Sequence, residues 1–125
     1  MGTVYQTIEV GSLQGGAMIE LETIVDTGAA DSVMPSGVLA ELGILPVEEI
    51  SCTLADGSTV DWGYGSAMIR IDGRQWPCPV IFGPDDLESY LLGATTLEIF
   101  KLTVDPVNNQ LRPVTTSRLG WGGSV

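Results

Sequence analysis

Apolar and polar residues alternate along much of this chain with the two-residue period of half-buried strands. Val4 to Val10 is rich in β-formers, and the glycine-bearing stretch Gly11 to Gly16 reads as a turn. Ala17 to Val25 then returns with Ile19, Leu21, Thr23 and Val25 on one face and Glu20 and Glu22 on the other, completing a hairpin. The period changes after Met34: Pro35 sits at the start of a short helix with Val38, Leu39 and Leu42 inward, and Gly43 stops it. Val47 to Ala55 and Ser58 to Val60 flank Asp56-Gly57, a two-residue hairpin signal. Trp62-Gly63-Tyr64-Gly65 predicts a bend or bulge in the return strand. The strand resumes over Ser66 to Ile71, turns at Asp72-Gly73, and runs back over Gln75 to Phe82. Pro77 and Pro79 predict that this last run is an edge strand or an irregular one. Gly83 to Asp86 is a loop, Tyr90-Leu91-Leu92 a short apolar strand ending at Gly93, and Ala94 to Phe100 a brief helix. A final hairpin runs from Leu102 to Val114 around Asp105 to Asn109. The reading is a single mostly-β domain with short helices over residues 1–114, then a Ser/Thr/Gly-rich tail, 115–125, that is flexible or forms an interface. Trp121 is unusual for a loose tail and suits docking.

Composition narrows the chemistry. With 125 residues and 44% apolar content the chain can bury a core of its own. No apolar run approaches the roughly 20 residues that span a bilayer, and no basic stretch followed by a long apolar one opens the chain. The expectation is a cytoplasmic protein, or a domain of a longer one, with no membrane partner. Sixteen acids against five bases give a net charge of −11, which argues against nucleic acid as a partner. The chain has no histidine, which removes Ser-His and Cys-His triads and His-ligated zinc. Cys52 and Cys78 are single and far apart, and read as free thiols. Lys101 is the sole lysine and no Gly-x-x-x-x-Gly-Lys loop exists, so nucleotide chemistry has no support. Carboxylates and hydroxyls remain, with no cofactor and no metal expected.

One stretch stands out among the carboxylates. In Thr23-Ile24-Val25-Asp26-Thr27-Gly28-Ala29 an apolar strand drives straight into an acid. A carboxylate at such a place is costly unless it is paired, hydrogen-bonded or sharing a proton. A surface turn or a helix cap is the competing reading of Asp-Thr-Gly on its own.

The order of motifs separates the two. The strand into Asp26-Thr27-Gly28-Ala29 is followed by a hairpin at Leu54-Ala55-Asp56-Gly57-Ser58. Later Leu91-Leu92-Gly93 leads directly into Thr95-Thr96-Leu97-Glu98-Ile99-Phe100, and a strand then ends at Asp105. That succession, over Val4 to Val114, resembles a retropepsin, the single-domain retroviral-type aspartic peptidase, and in particular its cellular and bacterial relatives. The resemblance implies an acid-protease β-barrel with a flap hairpin near residues 52–61. It implies that Asp26 is the catalytic aspartate, that Thr27 braces the active-site loops across a dimer, and that the backbone of Gly28, beside Ala29, lies against substrate. Leu54, Ala55, Asp56, Gly57 and Ser58 would then belong to the flap, and Leu91, Leu92 and Gly93 to the segment supporting the catalytic loop. The chain departs from the retroviral pattern in two places: the flap lacks a glycine-rich tip, having Ala55-Asp56-Gly57-Ser58, and the acid after the catalytic loop is displaced. An acid usually follows Asp-Thr-Gly-Ala directly, whereas here Ala30 intervenes and Asp31 comes next.

Hydrolysis of a peptide bond by carboxylates needs two of them, one ionised to take a proton from water and one protonated to donate to the carbonyl oxygen. The chain has one Asp-Thr-Gly. A symmetric homodimer, each copy giving one Asp26, supplies the pair. The function expected is therefore an aspartic endopeptidase acting on peptide or protein substrates. The alternative is a catalytically inactive relative that keeps the fold for dimerisation or peptide binding. Smaller signals stay open. Asp31 either grips substrate or caps the helix near Pro35, Trp62 and Tyr64 either line the cleft or pack on the core, and Asp85-Asp86-x-Glu88 reads as a solvated loop with too few ligands for calcium.

Overall fold

The computed structural model describes residues 2–115, and within them the chain forms nine strands and two short helices. Strands β1 (Tyr5–Gly11) and β2 (Met18–Val25) make the first hairpin, and β3 (Ser32–Pro35) leads into α1 (Ser36–Glu41). A meander follows from β4 (Glu48–Thr53) through β5 (Thr59–Ile71) to β6 (Arg74–Gly83). Strand β7 (Tyr90–Leu92) precedes α2 (Ala94–Phe100), and β8 (Leu102–Asp105) pairs with β9 (Gln110–Pro113) as a separate ribbon. No helix among the described residues is long and apolar enough to cross a membrane. The tail beyond residue 115, with Trp121, lies outside the described residues.

The large sheet has the order β1-β2-β7-β3-β6-β5-β4, and β1 also pairs with β5 through Glu9↔Arg70, Val10↔Ile69 and Gly11↔Met68. That pairing closes six strands into a barrel and leaves β4 as an outer strand on β5. Closure removes the unpaired edges that an open sheet would expose. Across the seam Arg70 donates to both carboxylate oxygens of Glu9 at 2.9 Å, which holds the Glu9 carboxyl below its usual range. Inside, Ile8, Val10, Ile69 and Val80 from the strands meet Leu39 of α1 and Phe100 of α2, all buried. Helix α2 ends where Lys101 turns left-handed, and Arg74 donates to the Phe100 carbonyl at 2.8 Å while stacking on its ring.

The mostly-β barrel with short helices is the fold the sequence leads one to expect, and α2 and the Asp72-Gly73 turn fall where the pattern places them. Four local expectations are corrected. Ser32-Val33-Met34-Pro35 is a strand, β3, that the sequence does not announce, because all four residues are buried and no alternation survives. Pro35 accordingly precedes α1 as its flanking residue, and the helix begins at Ser36. Strand β5 runs unbroken in its pairing through Trp62-Gly63-Tyr64-Gly65. The glycines there answer a close approach: a methyl at Gly63 would lie 2.9 Å from Pro46 Cβ, and one at Gly65 3.1 Å from the Leu45 carbonyl. The turn around Asp56-Gly57 is wider than two residues, since Thr53 pairs with Thr59 and Leu54 donates to the Ser58 carbonyl at 2.8 Å. Strand β6 is interior rather than an edge, but β3 covers it only from Val80 onward, so Pro77 and Pro79 fall where β6 has a neighbour on one side alone.

Candidate active site

Asp26 is the first residue past β2, and its position is set by a strand far along the chain. Strand β7 lies parallel to β2 with Thr23↔Tyr90, Ile24↔Leu91 and Val25↔Leu92, and the pairing ends as Asp26 N donates to the Leu92 carbonyl at 3.0 Å. The chain then turns sharply. Gly28 N donates to Asp26 Oδ1 at 2.9 Å and Ala29 N to the Asp26 carbonyl at 3.2 Å, so the carboxylate is fixed by its own loop. Asp26 is half-buried, whereas Thr27 and Gly28 are exposed.

The start of α2 clasps the back of this loop. Ala94 N donates to the Ala29 carbonyl at 2.8 Å and Thr95 N to the Ala30 carbonyl at 2.9 Å. Beneath them the buried Ser32 Oγ accepts from Gly93 N at 3.0 Å and shares a 2.6 Å bond with Thr96 Oγ1. Gly93 has no room for a side chain. A Cβ there would lie 2.5 Å from the Asp31 carbonyl carbon and oxygen and 3.0 Å from the Ala29 carbonyl oxygen.

In front of the loop lies a cavity of about 590 Å³, a volume suited to a ligand. Val33, Ile81 and Leu91 lie side by side across β7, β3 and β6 (Leu91↔Val33 and Val33↔Ile81) and all line it. Opposite stand Ile50, Ser51, Cys52 and Thr53 of β4, Leu54 and Ala55 of the turn, and Trp62 of β5. Leu87 and Ser89 close one side. Asp26, Gly28, Ala29, Ala30 and Asp31 complete the wall. Asp31 does not cap α1, whose N-terminus gains its bond elsewhere: Gly37 N donates to Asp85 Oδ1 at 2.8 Å. Instead Asp31 Oδ1 accepts from the Tyr64 hydroxyl at 3.1 Å. Burial, then the bond to Asp31 and its charge, hold the Tyr64 phenol above its ordinary value. Burial likewise pushes the Cys52 thiol up, with the charges of Asp31 and Asp61 adding to it. Among the described residues no three His, Cys, Asp or Glu side chains gather to hold a metal.

The structure thus brings Asp26, Gly28, Ala29, Asp31, Leu54, Ala55 and Leu91 to one cavity. Asp56, Gly57 and Ser58 do not reach it. They form the tip of the β4–β5 hairpin, where the Ser58 hydroxyl and N–H bonds hold the Asp56 carboxyl below its usual range. Leu92 and Gly93 lie behind the loop, both buried. Thr27 borders two shallower grooves, one with Ile24, Val25, Val104 and Pro106, the other with Ala94, Leu97 and Leu102. Trp62 lines the cavity, while Tyr64 reaches its Asp31 wall through one hydrogen bond. Val33, Ile81, Ser89 and the Ser32–Thr96 pair are additions that the sequence reading missed. The unrecognised β3 hid all but Ser89, because its parity sends Val33 to the cavity and Ser32 to the core.

Comparison with known proteins meets this geometry. The family model described as "gag-polyprotein putative aspartyl protease" matches residues 15–98, about two thirds of the chain and all of the Asp26 loop, β7 and most of α2. Among solved structures, EIAV protease complexed with the inhibitor HBY-793 superposes with a TM-score of 0.60 at 17% identity, over 79% of this chain and 88% of that one. Among curated proteins none matches by sequence. A closed barrel that carries an aspartate loop braced by the strand before its second helix, matched by family and by fold, places this chain in the retroviral-type, retropepsin-like aspartyl protease family.

Proposed function

We propose that the chain is an aspartic endopeptidase that works as a homodimer, with the Asp26 carboxylates of two copies forming the catalytic pair. The observation that carries this is the Asp26 carboxylate itself, held by Gly28 N–H at the edge of a 590 Å³ cavity. One chain supplies one such loop, and the exposed Thr27 beside it is available to bond the equivalent loop of a second copy. In the dimer the two carboxylates share a proton, because like charges about 3 Å apart do not both ionise readily. The ionised one takes a proton from water as that water attacks the scissile carbonyl carbon, and the protonated one donates to the carbonyl oxygen. Collapse of the tetrahedral intermediate expels the amine, which takes a proton from the pair.

The remaining roles follow from position. The β4–β5 hairpin, residues 52–61, acts as a flap over bound peptide, with Leu54 and Ala55 against substrate and Asp56, Gly57 and Ser58 at its tip. Leu91, Leu92 and Gly93 support the loop from behind. Residues 1–114 act as the peptidase domain.

Hydrolysis of a peptide library by the wild type and by Asp26→Asn, with and without pepstatin, tests the assignment. The expected outcome is pepstatin-sensitive cleavage that Asp26→Asn reduces by at least about a thousandfold, the scale of losing a group that acts in every proton transfer. Cleavage that survives Asp26→Asn overturns the assignment. Peptide binding without cleavage by the wild type would make the chain a binding module instead.

A further inference from the structure

The wall of the cavity is apolar apart from a few hydroxyls and two charges, Asp26 and Asp31. Among the described residues no arginine or lysine lines it, and the chain has no histidine. Among the described residues Asp31 therefore has no cation to pair with there. Its one described partner is the Tyr64 hydroxyl, a neutral donor that fixes the carboxylate without cancelling its charge. Asp61 adds to the negative field at this end through β5, where it accepts from Ser51 at 2.8 Å. Val33, two residues past Asp31, lines the same cavity, with Ile81 and Leu91 beside it on the neighbouring strands and Ile50 and Trp62 also in the wall. An anionic end beyond an apolar floor matches the shape of a lysine or arginine side chain, whose stem is apolar and whose tip is cationic. The indole of Trp62 offers such a tip a further favourable face.

We propose that Asp31, oriented by Tyr64, makes this cleft select peptides with a lysine or arginine seated in the subsite between Asp31 and Trp62. This rests on reading the cleft as the peptidase site. An apolar side chain there strands the Asp31 carboxylate against hydrocarbon, whereas a cationic one completes a charge-assisted bond.

The test compares cleavage of peptides that differ only in lysine against norleucine at each subsite position, using wild type, Asp31→Asn and Tyr64→Phe. At one position the wild type is expected to favour lysine by roughly tenfold or more in kcat/KM. Asp31→Asn is expected to collapse that ratio to near one, and Tyr64→Phe to reduce it several-fold by freeing the carboxylate. A wild type without a basic preference at any position, or an Asp31→Asn that keeps it, overturns the proposal. A second arm does not depend on hydrolysis. Asp26→Asn, titrated with the same fluorescent-labelled peptides, is expected to bind the lysine member more tightly, and the Asp26→Asn/Asp31→Asn double variant to lose that difference. Equal binding of both peptides by Asp26→Asn overturns the subsite even if cleavage is confirmed. Selective binding that depends on Asp31, without cleavage by the wild type, upholds the subsite while the peptidase reading fails.

Discussion

Cys78 faces the barrel core from β6 and is buried, and that burial pushes its thiol up to about 11 from an ordinary 9.0. The sign of the effect is fixed by where the proton stays. Between pH 9 and 11 the unfolded chain loses the thiol proton and the folded chain keeps it, so stability present below pH 9 falls as the pH rises through this window. Urea midpoints measured at pH 8 and pH 10.5 are expected to fall in wild type, and to fall less in Cys78→Ala, even though the smaller side chain lowers both values by leaving a void. Cys52 behaves differently because it is half-buried and lines the cavity. A thiol reagent at neutral pH is expected to label Cys52 first and Cys78 only on unfolding. Equal labelling rates would show that β6 opens in the folded state.

At the scale of elements, the two helices are short, and each is tied down from outside itself. Helix α1 has no capping side chain at its own N-terminus, and Asp85 reaches over from the loop after β6 to accept from Gly37 N. Asp85→Ala is expected to lower stability by about 1 kcal/mol, the usual worth of a capping carboxylate, measured by denaturant unfolding. Helix α2 holds the Asp26 loop through main-chain bonds from Ala94 and Thr95, and the approach is as close as Gly93 permits. Gly93→Ala is expected to cost roughly 1–3 kcal/mol by overpacking against backbone that has nowhere to go. It should also reduce kcat in a peptide assay, since the atoms displaced are the carbonyls of Ala29 and Asp31. What the sequence shows and hides follows from these same elements. Strands with one wet face announce themselves by alternation, and so β1, β2 and the β8–β9 ribbon are legible. Asp26 is legible because an acid at the end of an apolar strand is chemically conspicuous. Strand β3 is silent because all four of its residues are buried and no wet face alternates with the core. The pairings of Tyr64 with Asp31, Asp85 with Gly37 and Ser32 with Thr96 are silent for another reason: the partners stand 33, 48 and 64 positions apart, and no local pattern records such a meeting.

The whole molecule carries a net charge of −11, and a proposed dimer brings two such charges together. Their repulsion acts over the Debye length, about 30 Å at 0.01 M salt and 10 Å at 0.1 M. Sedimentation velocity is therefore expected to show a dimer that tightens as salt rises over that range, and peptidase activity per chain should rise with protein concentration in parallel. An active species that sediments as a monomer is incompatible with one Asp26 per chain. The exposed Glu9–Arg70 pair works in the opposite direction and is screened by salt, but it sits on a seam already closed by main-chain pairing.

The parallel pairing of β2 with β7 also governs the order in which the molecule comes into being. Asp26 is made early, yet the strand that positions it, Tyr90–Leu92, and the helix that clasps its loop, Ala94–Phe100, are made long after it. On a ribosome the hairpins β1–β2, β4–β5 and β5–β6 have their partners at once, because each joins neighbours in sequence. The Asp26 loop has to wait until about residue 100 has emerged. A growing chain therefore carries its aspartate without a formed site, and the proposed peptidase stays idle until β7 and α2 have emerged.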